Sequence, residues 1–266
     1  MTQTTTTRAR ELPQTDPTTA RANLAAEFAA LTHTVDGLSP ADWTRPTDCA
    51  GWTVRHMVAH IAGSAECSVR KSTLLRVYGS AGWKSRKAPE TFVDHMCAAQ
   101  ISARSDLTDQ EVAADLERWA RDAPAKLESW PGFLRRLPLP ARVGGPRGAE
   151  VSWFLDVINT RDVWTHRVDL ARALRVPRET TVAESEAVRQ VVRDLDTDWS
   201  GPPVELTLTG VGGGTWRIGA GDPVAHVTED AVAYLRLLSG RSDECTLTTH
   251  GDPAATTALR TARVLF

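Results

Sequence analysis

Four long segments of the chain carry apolar residues at the three- and four-residue spacing of an amphipathic helix. The first begins at Asp16 followed by Pro17, a capping residue with proline at the first helical position, and it ends at Gly37. A Pro-, Gly- and Arg-rich stretch over residues 131–148 interrupts the pattern, because a helix does not cross such a stretch. The other three segments span residues 52–78, 108–130 and 150–174. Four long helices with one long connection predict a four-helix bundle.

Two shorter signals refine this bundle. Residues 89–103 have a helical pattern and lie between the second and third long segments. Thr108 and Glu111 stand three positions apart, which is the spacing of a capping box. The third long helix is therefore predicted to begin at Thr108.

The pattern changes after Pro177. One more helix is predicted over residues 182–195, and short β-type runs follow it, the first two separated by the glycines of residues 210–214, as in a hairpin. The predicted strands are 204–209, 215–218, 224–227 and 245–248, and the predicted helices among and after them are 230–238 and 253–263. The sequence thus predicts an α+β fold that is mainly α, with a disordered Thr-rich tail (1–15), a helical bundle (16–176) and a small α+β domain (177–266).

Composition excludes several classes of function. The 266 residues carry a formal net charge of −2 with the arginines scattered, so we expect no nucleic-acid partner. No apolar run approaches the roughly 20 residues that cross a bilayer, and the first ten residues lack the apolar stretch of a secretory signal. The four cysteines are widely spaced, which is typical of a reducing compartment. We therefore expect a cytoplasmic protein without a membrane partner.

Candidate metal ligands stand on two of the predicted helices. Asp162 and His166 are four residues apart, so their side chains share one helix face and can reach one ion. His60 lies in an apolar stretch of the second helix and is the best candidate for a third ligand. Spacing alone also fits a surface ion pair and a hydrogen-bonded core histidine. His56 forms a second i, i+4 pair with His60, so the group has four ligands or His56 sits at the bundle edge.

The residues around these candidates resemble a known family. Residues 43–60 read W-x-x-P-T-x-C-x-G-W-T-V-R-x-x-V-x-H, and residues 161–170 read R-D-V-W-T-H-R-V-D-L. Both segments resemble motifs of the mycothiol-dependent maleylpyruvate isomerase family, part of a larger DinB-like group of metal-binding four-helix bundles. Residues 231–241 and the Gly-Asp-Pro at 251–253 resemble its small C-terminal domain. The resemblance extends from about residue 20 to the end.

The resemblance implies a divalent metal held by His60, Asp162 and His166. The best-characterised members of the family have glutamate where this chain has Asp162, so the ion lies closer to the fourth helix or is held through water. Position 56 is commonly acidic in the family, and here it is histidine. By the same resemblance Arg241 is a catalytic candidate that binds a substrate carboxylate, although an arginine capping its own helix is an equal alternative.

Two imidazoles and a carboxylate suit zinc and leave a coordination position open. A free thiol has a pKa of roughly 8.5, and coordination to a metal deprotonates it. The family chemistry then implies that the thiolate of mycothiol adds to a cis double bond, which rotates before the thiol leaves. An S-transferase shares the same first step. Asp169 is expected to fix a ligating imidazole or to pair with Arg172.

The partners expected from this chemistry are a low-molecular-weight thiol and a small electrophile, and the chain is expected to be a monomer or a homodimer. Two other readings stay open. One is a non-enzymatic, metal-containing bundle that binds a small molecule or a protein. The other is metal-dependent hydrolysis, for which His56 is the candidate general base.

Overall fold

The computed structural model describes residues 7–87, 91–242 and 245–266. The chain forms two compact units. One contains residues 16–143 and 150–181, and the other contains residues 7–15, 144–149 and 182–266. These limits differ from the predicted division at residues 176–177, because 177–181 group with the helices and 144–149 group with the C-terminal residues.

The larger unit is the predicted helical bundle, and the fold class is confirmed. Its helices share one core, to which apolar residues of all four long predicted helices contribute. The helices are α1 (Pro17–Asp36), α2 (Val54–Val69), α3 (Lys71–Lys84), α4 (Phe92–Ser102), α5 (Asp109–Glu128), α6 (Gly132–Arg135), α7 (Val151–Trp153) and α8 (Asn159–Leu174).

Side-chain caps explain where these helices begin. The Asp16 carboxylate accepts the backbone N–H groups of Thr18 and Thr19, two of the donors that have no partner within the first turn of α1. Thr108 and Glu111 form the predicted capping box of α5. Both sequence predictions are confirmed.

The second predicted helix, over residues 52–78, is two helices. Arg70 has an extended backbone (φ −106°, ψ 104°) between α2 and α3. Glu66 joins the two sides of this bend, because its carboxylate accepts from the Thr73 hydroxyl at 2.9 Å and pairs with Arg104 at 3.1 Å. The continuous helix was therefore wrong, and the bend carries α3 in a new direction.

The fourth predicted helix, over residues 150–174, contains a π-helical segment at Phe154–Ile158 between α7 and α8. Such segments insert an extra residue into the helix and rotate the side chains before it relative to those after it. The segment lies one turn before Asp162. None of the helices in the described residues is long and apolar enough to cross a membrane.

The smaller unit is α+β, as predicted. Its sheet has the strand order β2-β1-β3-β4, in which β1 pairs antiparallel with β2 and parallel with β3, and β3 pairs antiparallel with β4. The glycine-rich hairpin is confirmed, whereas the last strand begins three residues later than predicted. The elements are α9 (Glu184–Thr197), β1 (Val204–Thr209), β2 (Gly214–Ile218), β3 (Ala225–Asp230), α10 (Ala231–Leu238), β4 (Thr248–Gly251) and α11 (Pro253–Thr261).

Residues 7–15 differ from the disordered tail that the sequence predicts. They include a 3₁₀ turn at Ala9–Glu11, and the backbone N–H of Arg10 donates to the Asp196 carboxylate at 2.9 Å. Asp196 is fully buried and also accepts the N–H of Gly219 at 2.6 Å. A buried carboxylate needs hydrogen-bond donors to replace the water that it has lost. The bond from Arg10 to Asp196 therefore holds residues 7–15 in place within the smaller unit. Residues 1–6 lie outside the described residues.

Candidate metal centre

The three predicted ligands lie together inside the bundle unit. α2 carries His60, and α8 carries Asp162 and His166 one turn apart. The two carboxylate oxygens of Asp162 face different imidazoles, Oδ2 at 3.5 Å from His60 Nε2 and Oδ1 at 3.3 Å from His166 Nε2. One ligand atom from each residue lies within 4.8 Å of the others. Both histidines are buried, so the group is a pocket of nitrogen and oxygen ligands within an apolar core.

A second layer of side chains orients both imidazoles. The Nδ1 of His60 donates to Gln100 Oε1 at 2.8 Å, since an amide oxygen can only accept. The Nδ1 of His166 lies 3.3 Å from Asp169 Oδ2. Each Nε2 is thereby left facing Asp162, which is the arrangement that ligating histidines have in metal sites.

Of the two expectations for Asp169, the structure places it on the imidazole. Arg172, the alternative partner, pairs with Asp48 at 2.8 Å instead. Gln100 was missed by the sequence analysis. It stands on α4, forty positions from His60. Glutamine has no spacing signal relative to a histidine on another helix, so no pattern in the sequence could have found it.

Trp52 covers the two imidazoles. Its ring centroid is 5.2 Å from that of His60 and 5.9 Å from that of His166, nearly parallel to the second. The two imidazoles meet edge to face at 5.1 Å. Trp52 precedes the Thr53 cap of α2, so the start of this helix also fixes the aromatic wall.

The charges of the group reinforce one another. Burial disfavours the charged imidazole of His60, but the Cys97 and Asp162 side chains outweigh it and raise the pKa of His60 to about 10. Burial likewise acts against charge on His166, yet hydrogen bonds to Asp162 and Asp169 raise its pKa well above the usual value. Burial would raise the pKa of Asp162, but the two imidazoles hold it well below its ordinary range. A cation that binds here must displace protons from both histidines.

Two cysteines stand beside this group. Cys49 Sγ lies 4.0 Å from His166 Nδ1 and 3.6 Å from Asp169 Oδ2, so these three residues form a second candidate ligand group. The second group would use the His166 nitrogen that faces Asp169, and the first would use the nitrogen that faces Asp162. The Cys97 side chain lies near enough to His60 to contribute to its raised pKa. The sequence analysis missed both thiols as neighbours of the site.

The other two predicted site residues belong to neither candidate ligand group. His56 Nδ1 accepts the backbone N–H of Thr53 at 3.1 Å and so completes the capping box of α2. It belongs to neither candidate ligand group, and the four-ligand alternative is not what the structure places together. Arg241 follows α10 in the smaller unit, where its backbone N–H donates to the Arg236 carbonyl at 3.0 Å. Catalytic roles for His56 and Arg241 stay predictions.

The residues present fit a divalent metal. Two imidazole nitrogens and a carboxylate converge, each imidazole is held through its other nitrogen, and the surrounding core is apolar. Nitrogen and carboxylate donors in this number match catalytic zinc sites, which use three protein ligands. The donor chemistry also admits other first-row divalent ions.

Comparisons with known proteins give a family match and two relatives. A family model described as the mycothiol maleylpyruvate isomerase N-terminal domain matches residues 24–171, more than half of the chain. Two uncharacterized proteins of Mycobacterium tuberculosis, Rv0036c of strain H37Rv and MT0041 of strain CDC 1551, are each 26% identical over 249 residues. Each alignment covers 87% of this chain and 89% of the relative.

Solved structures share the fold. A crystal structure of the mycothiol-dependent maleylpyruvate isomerase has a TM-score of 0.57 and 17% identity, covering 92% of this chain and 97% of its own. A variant of that enzyme has a TM-score of 0.58 and 16% identity, covering 91% and 95%. From the family match and the shared architecture, the chain belongs to the mycothiol maleylpyruvate isomerase N-terminal domain family.

Proposed function

We propose that this protein is a metal- and mycothiol-dependent enzyme that activates the thiol for attack on a small electrophile, with cis–trans isomerisation as its reaction. The observation that carries the proposal is the convergence of His60 Nε2, His166 Nε2 and the Asp162 carboxylate. A cluster that only stabilises the fold would not need these ligand atoms to lie so close together. An S-transferase would use the same group and differ only in releasing the adduct.

The residues of the chain would divide the work as follows. His60, Asp162 and His166 would hold the metal, which when bound favours the deprotonated form of a coordinated thiol. Gln100 and Asp169 hold the Nδ1 atoms of the two imidazoles, which would keep the Nε2 atoms available to the metal. Trp52 covers the imidazoles and limits the access of water to them.

Two further residues enter the proposal from the sequence. Arg241 would bind a carboxylate of the electrophile, for which a guanidinium is suited by its paired donors. The histidine at position 56 would act at the edge of the site only if its ring left the Thr53 cap, because its Nδ1 is engaged there. We therefore propose a structural role for His56, in the cap of α2, ahead of a catalytic one.

The experiment is a turnover assay with mycothiol and maleylpyruvate, the substrate named for the solved relatives. The wild type, Asp162→Ala and Arg172→Gln are compared after loading with zinc. Arg172 is on the same helix, but it pairs on the surface with Asp48, and such pairs contribute little. We expect turnover that needs both thiol and metal, is lost in Asp162→Ala and is retained in Arg172→Gln.

Two outcomes would contradict the proposal. Turnover that Asp162→Ala leaves intact would place the chemistry elsewhere. A wild type that binds zinc but consumes neither maleylpyruvate nor a general thiol-reactive electrophile would favour the non-enzymatic bundle.

A further inference from the structure

A separate cavity of about 370 Å³ lies within the bundle unit, and none of the three candidate metal ligands lines it. Its walls come from α2 to α5 and from residues 130–155. An engineered apolar cavity of ~150 Å³ holds a benzene ring, and ligand pockets begin at roughly 300 Å³. The cavity therefore has the size of a small-molecule site. Its aromatic lining residues are Tyr78, Phe92, Trp130 and Phe154.

The aromatic wall is held rigidly. The Tyr78 ring meets Phe92 edge to face at 5.7 Å and Phe154 at 6.1 Å. Phe154 is the first residue of the π-helical segment that leads into α8. Edge-to-face contacts at these distances are the arrangement that aromatic pairs prefer. The cavity is thus a preformed apolar surface, which lowers the entropic cost of binding.

Two polar side chains, those of Tyr78 and Arg142, line this apolar surface. Tyr78 carries a hydroxyl that can donate a hydrogen bond to a ligand, and a tyrosine in such a setting usually has a partner. The Arg142 side chain lies over Gly82, and among the same described residues it makes no ion pair. A hydroxyl and a cation among the lining residues of an apolar cavity are the features that orient a ligand.

The charge of the cavity comes from Arg142. Burial raises the pKa of the Cys67 thiol to about 11, and burial also raises the pKa of Tyr78 well above its usual value. Both groups are therefore neutral near pH 7. The remaining lining residues among those that the structure describes do not titrate, so a ligand with one negative charge matches this site.

The cavity adjoins the candidate metal centre through shared neighbours. Cys67 lines the cavity, and its sulfur is 4.0 Å from the side-chain nitrogen of Gln100. The oxygen of the same Gln100 amide holds His60 at 2.8 Å. Tyr78, on the cavity wall, is also close enough to Asp162 for the carboxylate to contribute to its raised pKa. One layer of side chains separates the cavity from the candidate metal centre.

We propose that this cavity binds an anionic amphiphile with an aryl or alkyl body, held by Arg142 and the Tyr78 hydroxyl, and that this amphiphile is the electrophile of the thiol reaction. The second half rests on the proposed function, whereas the first half stands on the cavity alone. Maleylpyruvate is a small diacid without an apolar body, so it would turn over but would fill this cavity only in part.

The binding test uses 1-anilinonaphthalene-8-sulfonate, a fluorescent aryl sulfonate, titrated into the zinc-loaded protein. Gly79 lines the cavity on the helix face of Leu75 and Gly82, and a Cβ added there meets no atom within 4 Å. Gly79→Leu therefore fills the cavity without straining α3, and Gly79→Ala is its matched control. Glycine is unfavourable within a helix, so both variants are expected to fold.

We expect Gly79→Leu to weaken binding at least about tenfold, since it removes contact area from the ligand. Arg142→Gln should weaken binding by about tenfold through loss of a charge-assisted contact, and Arg142→Lys should weaken it less. Gly79→Ala should bind nearly as the wild type does. Phe133→Ser removes a side chain that is 71% exposed and outside the cavity, and it should also leave binding unchanged.

Three results would overturn the binding site: no binding to the wild type, equal binding to Gly79→Leu, or binding that only Phe133→Ser abolishes. The last result would place the probe on the exposed surface. Thermal melts of each variant check that it is folded.

The assignment to the electrophile is tested in the turnover assay with mycothiol and cis-3-benzoylacrylate, an aryl carboxylate with a cis double bond that a thiol can isomerise. The probe should raise the KM for the electrophile and leave kcat unchanged. Turnover that the probe does not inhibit would overturn the assignment while leaving the binding site intact. Absence of any thiol-dependent turnover would contradict the proposed function and the assignment together, and the titration would still decide the binding site.

Discussion

Two buried polar clusters share helix α8, and they are built on opposite principles. In the first, which we name the Glu27 cluster, Arg167 pairs with Glu27 at 2.7 Å and donates to the Glu179 carbonyl at 2.7 Å, while Thr181 donates to the other Glu27 oxygen. In the second, the candidate metal centre, His166 and His60 share the single carboxylate of Asp162. His166 and Arg167 are consecutive residues with different partners.

The difference distinguishes a structural cluster from a site. The Glu27 cluster joins α1 to α8 and to residues 179–181 by pairing its opposite charges and donors directly. Buried charges that are matched in this way are satisfied without a ligand. In the metal centre the ligand atoms converge on one point, and their outer nitrogens are already engaged. His166 and Arg167 are neighbours in the sequence, so their positions alone would not show which of the two clusters is a ligand site.

The largest effect on turnover is expected when the metal centre loses a ligand. Asp162→Ala should lower thiol-dependent turnover at least about a thousandfold, about 4 kcal/mol of transition-state stabilisation, because it removes a ligand. Thermal unfolding should show a folded protein. Steady-state kinetics measure the first quantity and calorimetry the second. If the variant retained turnover, the contrast between the two clusters would lose its functional meaning.

The converse change breaks the Glu27 cluster. Arg167→Met should lower the free energy of unfolding by about 3 kcal/mol, because it removes the guanidinium that pairs directly with the buried Glu27 carboxylate. Zinc should still bind stoichiometrically. The double variant Glu27→Met/Arg167→Met should be more stable than the single one, as no charge is then left alone. Denaturant unfolding checks the order, and zinc loss in the single variant would show that the clusters are not independent.

A smaller effect tests the second layer. Gln100→Leu removes the acceptor of His60 Nδ1 and should weaken zinc binding about 10- to 100-fold. Competition with a chromogenic chelator measures this affinity. Arg172→Gln is the control, since its surface pair with Asp48 touches neither cluster. Unchanged zinc affinity in Gln100→Leu would mean that the hydrogen bond from His60 to Gln100 does not contribute to metal binding.

Asp162→Glu sharpens the comparison with the family, whose best-characterised members have glutamate there. We expect zinc to remain bound with an affinity within about tenfold of the wild type, because the ligand chemistry is unchanged and the carboxylate is only one methylene longer. The same chelator competition applies. Complete loss of zinc would show that the space around the carboxylate admits only aspartate.

The smallest effect lies outside both clusters. Hydrogen bonds from Thr108 hold the pKa of Glu111 below its ordinary value of 4.5. A lowered carboxyl pKa contributes stability above the unfolded value and loses it as the pH falls through the folded value. Glu111→Gln should therefore reduce the acid-side slope of stability below about pH 5. Melts across pH 3–7 measure the slope, and an unchanged slope would contradict the capping contribution.

The sequence predicted the architecture where local signals are strong. Asp16, Thr108 and the glycines of the hairpin fixed boundaries that the structure confirms. The bend at Arg70 escaped prediction because both halves have helical residues and no proline or glycine marks the junction. The π-helical segment at Phe154–Ile158 likewise has no composition of its own. Tertiary packing determines where a helix bends or contains a π-helical segment, and a local sequence pattern does not report that packing.

The same division holds for the site. His60, Asp162 and His166 were found because two of them share a helix face and the third lies in an apolar stretch. Gln100 and Cys97 were not found, since each comes from α4 and approaches His60 only through folding. His56 was singled out by its spacing, yet its ring is used as a cap.

The most direct test of the central claim is the metal content of the purified protein. The wild type, His166→Ala and Arg172→Gln are each exposed to zinc, dialysed without chelator and analysed by mass spectrometry for bound metal. The account predicts about one zinc per chain in the wild type and in Arg172→Gln, and a small fraction of that in His166→Ala. Equal metal in all three, or none in the wild type, would contradict the assignment of His60, Asp162 and His166 as a metal centre.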